Sequence, residues 1–191
     1  MIMDDGTIRH LRTDLNFPGH AHGLTFSCYH GYPLLSKDRA RQWLVDALDR
    51  ARRIHALLLL AYVIMPEHAH VVLLPERETY RMGDVRRSIK QPVSRRAIRL
   101  LREQDSQWLE KLTARQPGGK VRCRFWQDGG GYDRNVISPD ALWSTIQYIH
   151  ANPVRRGLVD YPSQWEWSSA RWWDGVDDVP LVMDGDRSFS L

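Results

Sequence analysis

Two apolar runs, Leu57–Met65 and His68–Leu74, are separated only by Pro66-Glu67. Short runs rich in Leu, Val, Ile and Tyr on either side of a two-residue turn signal predict a pair of antiparallel strands. That hairpin commits the chain to a sheet with at least one fully buried face. The second run opens with His68-Ala69-His70. Alternate residues of a strand share a face, so the two imidazoles stand side by side with Cβ atoms about 6.5–7 Å apart. That spacing lets both rings reach one metal ion, while Ala69, Val71 and Leu73 face the core.

The same spelling occurs earlier, at His20-Ala21-His22. Pro18-Gly19 and Gly23 bracket that copy and predict a loop, where nothing fixes two rings on one face. The expectation of a metal pair therefore attaches to His68 and His70.

The remaining elements follow from periodicity. Gly23 to Tyr29 alternates like a strand. Lys37 to Arg53 places Ala40, Trp43, Leu44, Ala47, Leu48 and Ala51 on one helical face. Asp84 to about Leu112 reads as helix interrupted at Pro92, and Pro117-Gly118-Gly119 ends it. Val121–Trp126 and Tyr132–Ile137 read as strands around Gly129-Gly130-Gly131. Ser138-Pro139-Asp140 starts a helix, with a hydroxyl cap and proline at the first position, that runs to Asn152 and stops at Pro153. The order β-α-β-β-α-β-α predicts an α+β sandwich of ferredoxin-like (RRM-like) type, an antiparallel sheet with packed helices and the His-Ala-His on a central strand.

On that last helix Leu142, Ile146 and Ile149 fall within a stripe of about 60°. Tyr148 lies roughly 125° from it and Asn152 about 85°, the two adjacent at i and i+4. Tyr148 is thus expected at the surface. Such a position suits a solvent-facing tyrosine beside an Asn cap, and it equally suits a nucleophile.

Charge is segregated. Residues 81–124 hold thirteen Lys/Arg against four Asp/Glu, whereas residues 174–191 hold five Asp against Arg187 alone. The first block, with Arg86, Arg87, Lys90, Arg95, Arg96, Arg99 and Arg102, favours a polyanion partner, nucleic acid first. The second is expected to be a solvated acidic tail, or else an internal mimic of that partner, following one domain over residues 1–173. Cys28 and Cys123 form no ligand-spaced pair, which argues against a disulfide scaffold or a zinc ribbon and for a reducing cytoplasm. The apolar stretch ending at Met65 is too short to span a bilayer, so no membrane partner is expected.

Four segments taken together resemble a known family: Met65-Pro66-Glu67-His68-Ala69-His70; Phe125-Trp126-Gln127; Tyr148-Ile149-His150-Ala151-Asn152-Pro153 with Val154-Arg155-Arg156-Gly157-Leu158-Val159; and Tyr161-Pro162-Ser163-Gln164-Trp165-Glu166-Trp167-Ser168-Ser169. In this order they are similar to the REP-associated tyrosine transposases, single-tyrosine nucleases of the HUH (His-hydrophobe-His) type. This chain has Glu67 where the family usually has Asn, and a small Ala69 as the hydrophobe. The resemblance implies a transposase that nicks and rejoins single-stranded, hairpin-bearing DNA through a 5′-phosphotyrosine. It implies Tyr148 as nucleophile, with His68, His70 and Asn152 holding Mg²⁺ or Mn²⁺, in a protein that acts as a monomer. A hairpin-binding protein that no longer cleaves is the alternative. A histidine-triad hydrolase needs a third histidine where Val72 stands, and an RNA-binding ferredoxin-like module would rely on sheet aromatics rather than a histidine pair.

Overall fold

The structure, a computed structural model, describes residues 16–115, 118–119, 121–129, 131–185 and 187. Pro117, Gly130 and Asp186, used in the sequence reading, lie outside these. The main sheet has four antiparallel strands in the order β2-β3-β1-β6: β1 is Ala21–Ser27, β2 Leu57–Ile64, β3 His68–Pro75 and β6 Tyr132–Val136. Between β1 and β2 runs α1 (Asp38–His55), and after β3 comes α2 (Met82–Glu103). A small excursion of α3 (Trp108–Leu112), β4 (Thr113–Arg115) and β5 (Val121–Cys123) precedes β6. After β6 come α4 (Pro139–His150), α5 (Asn152–Arg155) and α6 (Ala170–Trp173). The α+β expectation with an antiparallel sheet and packed helices holds, and His68-Ala69-His70 lies on β3, inside the sheet.

Helices cover both faces. Against α1 and α2 the sheet presents Leu24, Phe26, Tyr62, Ile64, Ala69, Val71 and Leu73, all within one core with Leu44, Leu48, Ile89 and Val93. Against α4 it presents Ala21, Ala61, Val63, Val72 and Val136, packed with Ile146 and Ile149. Strands buried on both faces read as continuous apolar runs, which is how β2 reads. A bulge between Leu59 and Ala61 flips its alternation, so that Leu57 and Leu59 share the α1 face with Tyr62 and Ile64.

Four local expectations are corrected. His20-Ala21-His22 is not a loop: the turn ends at Gly19, and Ala21 and His22 belong to β1. Gly23 does not break that strand, because it is paired with Val72 of β3 on one side and Arg134 of β6 on the other. Pro92 does not interrupt α2. Ile89 and Val93 on either side are fully buried, and that burial outweighs a proline cost of about 3 kcal/mol. Pro153 does not simply stop a helix: α4 ends at His150 and Pro153 occupies the first turn of α5, where its missing N–H is harmless.

The acidic segment is the fourth. Residues 174–185 are packed rather than free in solvent: Leu181 and Met183 are buried in the core. Asp184 sits at the β2 bulge, its N–H donating to the Leu59 carbonyl and its carboxylate accepting from Leu59 N and Arg52. Trp173 Nε1 donates to Leu60 O beside it. The bulge leaves backbone groups that the ladder cannot satisfy, and these partners satisfy them. Deleting residues 174–191 should therefore lower the thermal unfolding midpoint by about 10 °C or more, through loss of two buried apolar side chains. Calorimetry of the truncated protein checks this, and an unchanged midpoint would return the segment to the role of a solvated tail.

Candidate active site

The site is built on the α4 face of the sheet. His68 and His70 project from β3 with ring centroids 4.8 Å apart. Their Nδ1 atoms are engaged: His68 Nδ1 donates to Glu67 Oε1 at 3.2 Å, and His70 Nδ1 is hydrogen-bonded to Thr25 Oγ1 at 2.9 Å. Thr25 is placed there by register, directly opposite His70 across the β1–β3 ladder. Glu67 in turn accepts from Arg156 at 2.8 Å, so the segment after α5 is tied to the end of β3. Burial holds both imidazoles below their ordinary pKa. For His70, desolvation, then the neighbouring His68 and Arg155, bring it to about 4. For His68 the direction is the same, with burial the main cause and Glu67 opposing it. The rings are neutral at pH 7, and among the described residues neither Nε2 has a hydrogen-bond partner.

Ser138 caps α4 by accepting from Ala141 N, and Pro139 follows at the first helical position. The helix lays Ile146 and Ile149 on the sheet, which leaves Tyr148 58% exposed. Its ring stands 6.5 Å from that of His70. Arg155, one helix further on, lies 4.1 Å over the Tyr148 ring and donates to the Tyr148 carbonyl, so the aromatic face has a cation held against it. Asn152 is buried, and its amide nitrogen donates to the carbonyls of Tyr148 and Ile149. That bonding is a cap on the end of α4, and it leaves Oδ1 as the atom with ligand capacity. His150, two residues before it, faces inward to Ser169 Oγ at 2.8 Å and is held near pKa 4 by burial.

Among the described residues no three His, Cys, Asp or Glu side chains converge into a ready metal cluster. A metal at this site would rest on His68 Nε2, His70 Nε2 and the Asn152 amide oxygen, with water and substrate oxygens completing the shell. Two imidazoles with hydrogen-bonded Nδ1 atoms and free Nε2 atoms are fitted to that task, since the outer partners fix tautomer and ring orientation. A mixed nitrogen and oxygen donor set of this kind suits Mg²⁺ or Mn²⁺.

Beside Tyr148 and His70 opens a cleft of about 490 Å³ between α4 and the sheet. It is lined also by Thr25, Tyr132, Arg134 and Ser144. The sequence flags Tyr132 only as the alternative nucleophile and does not flag Thr25 or Arg134, because cross-strand neighbours depend on register that no local pattern encodes. Glu67 and Arg155 lie within noticed motifs, but their contacts with His68 and Tyr148 appear only in three dimensions.

The basic helix lies on the other face of the sheet. Arg87, Arg95, Arg96, Arg99 and Arg102 of α2 are exposed, with Arg96 paired to Asp46. Lys90 is half-buried, with Nζ near the carbonyls of Gln127 and Gly129. Arg86 differs: it is buried and paired with Asp133 at 2.7 Å, so its charge points into the molecule. Asp133 also accepts from His22 Nδ1 at 2.8 Å, and His22 Nε2 meets Tyr80 Oη at 2.8 Å. The first His-x-His copy thus supplies a buried structural histidine on the face opposite His68 and His70. Cys28 is buried, with its thiol pushed up to about 12 by desolvation, and is chemically quiet. Among the described residues no helix is long and apolar enough to cross a membrane.

No protein-family model matches the chain, and no curated protein matches it. Among solved structures it is similar to a REP-associated tyrosine transposase bound to a REP hairpin, at 20% identity over 95% of this chain and 93% of that one, with a TM-score of 0.62. It is also similar to a candidate transposase from Deinococcus radiodurans R1, at 16% identity over 72% of this chain and 94% of that one, with a TM-score of 0.44. The first likeness shows the fold: sheet and helices are arranged as in the REP-associated tyrosine transposase.

Proposed function

We propose that this chain is a transposase of the REP-associated tyrosine kind, a metal-dependent enzyme that nicks and rejoins hairpin-bearing single-stranded DNA through a 5′-phosphotyrosine. The observation that carries this reading is the meeting of an exposed Tyr148 with two neutral imidazoles, His68 and His70, beside an open cleft. The shared fold supports it, and the solved relative with that fold is bound to a REP hairpin.

In the reaction Tyr148 Oη attacks the scissile phosphorus. The Oη–P bond forms as the P–O3′ bond breaks, and the phenolic proton is matched by the one taken up on the departing 3′-oxygen. One phosphodiester replaces another, so a 3′-hydroxyl can reverse the step without ATP. A phenol ordinarily ionises near pH 10 and is a weak nucleophile at neutrality. Mg²⁺ or Mn²⁺, when bound at His68, His70 and Asn152, supplies Lewis-acid stabilisation of phosphate charge. Arg155, stacked on the ring, restrains where Oη can point, and the Asn152 cap fixes the helix end that carries it.

The test is incubation with a 3′-labelled, hairpin-bearing single strand and either metal, resolved on denaturing gels. A labelled protein–DNA adduct and an unlabelled fragment ending in a 3′-hydroxyl are expected. Tight hairpin binding with neither product would leave a DNA-binding protein that does not cut.

On the same reading the exposed cations of α2, Arg87, Arg95, Arg96, Arg99 and Arg102, with Lys90 beside them, contact phosphates without reading bases. Arg86 belongs to this stretch in sequence, but its buried pairing gives it a structural task. Neutralising Arg95 and Arg99 together should weaken binding to all sequences and reduce the log-affinity against log-salt slope by about one to two units. A shifted sequence preference at an unchanged slope would contradict it.

A further inference from the structure

The register of the sheet sets two rows of side chains side by side under α4. In one row His70 of β3 faces Thr25 of β1, and Thr25 faces Tyr132 of β6. In the next row Val72 faces Gly23, and Gly23 faces Arg134. The centre of the second row therefore has no side chain. A Cβ at position 23 would meet only Thr145 Cγ2 at 3.6 Å and the Arg134 carbonyl at 3.9 Å, so the absent side chain is what keeps the cleft floor low. The roof is α4, through Ser144, Thr145 and Tyr148. Because β6 is an edge strand, the cleft opens outward past Tyr132.

Tyr132 and Arg134 have no structural duty on this face. Tyr132 is 60% exposed, and among the described residues its ring packs against no other ring. Arg134 is exposed and makes no ion pair among the described residues, although Arg41, Arg52, Arg86, Arg96, Arg124 and Arg156 all do. An aromatic face and a cation two residues apart on one strand face stand about 6.5–7 Å from each other. A nucleotide presents a flat base and an anionic phosphate at a comparable separation, and a cleft of about 490 Å³ is of small-ligand size.

We infer that this cleft is a nucleobase pocket: one unpaired nucleotide beside the scissile phosphate stacks its base on Tyr132 above Gly23 and sets a phosphate on Arg134. The inference rests on the nicking reading above and adds to it the place where the strand leaves the reaction centre. It gives Tyr132, the other exposed tyrosine of the cleft, a binding role. Stacking holds any base, so the pocket positions the strand, and pocket shape around Ser144 and Thr145 selects among bases.

The test is a cycle between protein and DNA. Hairpin-bearing single strands, each with one abasic residue at a different position flanking the nick, are titrated with wild-type protein and with Tyr132→Ala by fluorescence anisotropy. Tyr132→Ala should weaken binding to the intact strand about tenfold, as expected for one lost stacking contact. One abasic position should cost the wild type the same factor, and at that position Tyr132→Ala should cost nothing more. Tyr132→Phe, which keeps the ring, should recover most of the affinity, and Arg134→Ala should reduce the salt slope by about 0.7. Tyr161→Ala, at a comparably exposed tyrosine outside the cleft, is the control for a general surface effect. Wild type that nicks while Tyr132→Ala binds equally tightly, or loses the same factor at every abasic position, overturns the pocket and leaves the nicking reading standing. Wild type that neither binds nor nicks these strands overturns both.

Discussion

Tyr148→Phe should abolish the covalent protein–DNA adduct, a loss on the order of 10³-fold or more in nicking, while leaving hairpin affinity and stability nearly unchanged. The clean separation follows from the position of the side chain. Tyr148 is largely exposed, and among the described residues its hydroxyl has no hydrogen-bond partner, so the substitution removes one oxygen and no packing. Arg155 can still stack on a phenyl ring, and its bond to the backbone carbonyl does not involve the side chain. The unfolding free energy should therefore move by no more than about 0.5 kcal/mol. Denaturing gels report the adduct and anisotropy reports binding. An adduct that persists in Tyr148→Phe would dismiss this residue as nucleophile and move attention to Tyr132 across the cleft.

His68→Ala or His70→Ala should reduce metal-dependent nicking on the order of 10²-fold or more, with a parallel loss of Mn²⁺ binding measured without DNA. Both side chains stand at the sheet surface under Tyr148, and neither holds the core together, so the fold should survive. The choice of control matters. His20→Ala removes a ring from the start of β1 and should leave nicking intact. His22→Ala is no control, because His22 shares Asp133 with Arg86 inside the molecule. Breaking a buried charged network of this kind costs about 3–5 kcal/mol, and the variant would lose activity by unfolding. Equal loss of nicking in a folded His20→Ala protein would mean that the wrong histidine triplet had been assigned.

The two triplets show how far sequence reading reaches. His68-Ala69-His70 was legible because apolar residues on both sides impose a strand, and a strand fixes which neighbours share a face. His20-Ala21-His22 was misread because Gly23 looks like punctuation. That glycine is held in β1 by pairing with Val72 and Arg134 on either side, a tertiary fact absent from any local window. Pro92 was misread for a similar reason: the penalty for a helical proline is local, whereas the burial of Ile89 and Val93 that overrides it depends on the sheet beneath. Tyr148 was placed correctly because helical periodicity alone separates it from Ile146 and Ile149. The burial of Arg86 could not be separated from the exposure of Arg87 by charge counting, since its partner Asp133 lies on another element. The same holds for the acidic segment, where five aspartates suggested solvent while Leu181 and Met183 carried it into the core.

The pairing of β6 with β1 bears on the order in which the parts of the proposed site come together. Contacts such as that between His22 and Asp133 join residues 111 positions apart, whereas α1, β2 and β3 are contiguous in the chain. Closing so long a loop is slow relative to forming a local hairpin, so β6 and the helix that follows it are expected to dock late. Until they do, the hairpin presents both imidazoles with no phenol above them. A chain still emerging from the ribosome then holds His68 and His70 on the hairpin while Tyr148 and Asn152 have yet to dock, so the proposed site is incomplete. On the proposed reading, the order of synthesis withholds cleavage until α4 has docked.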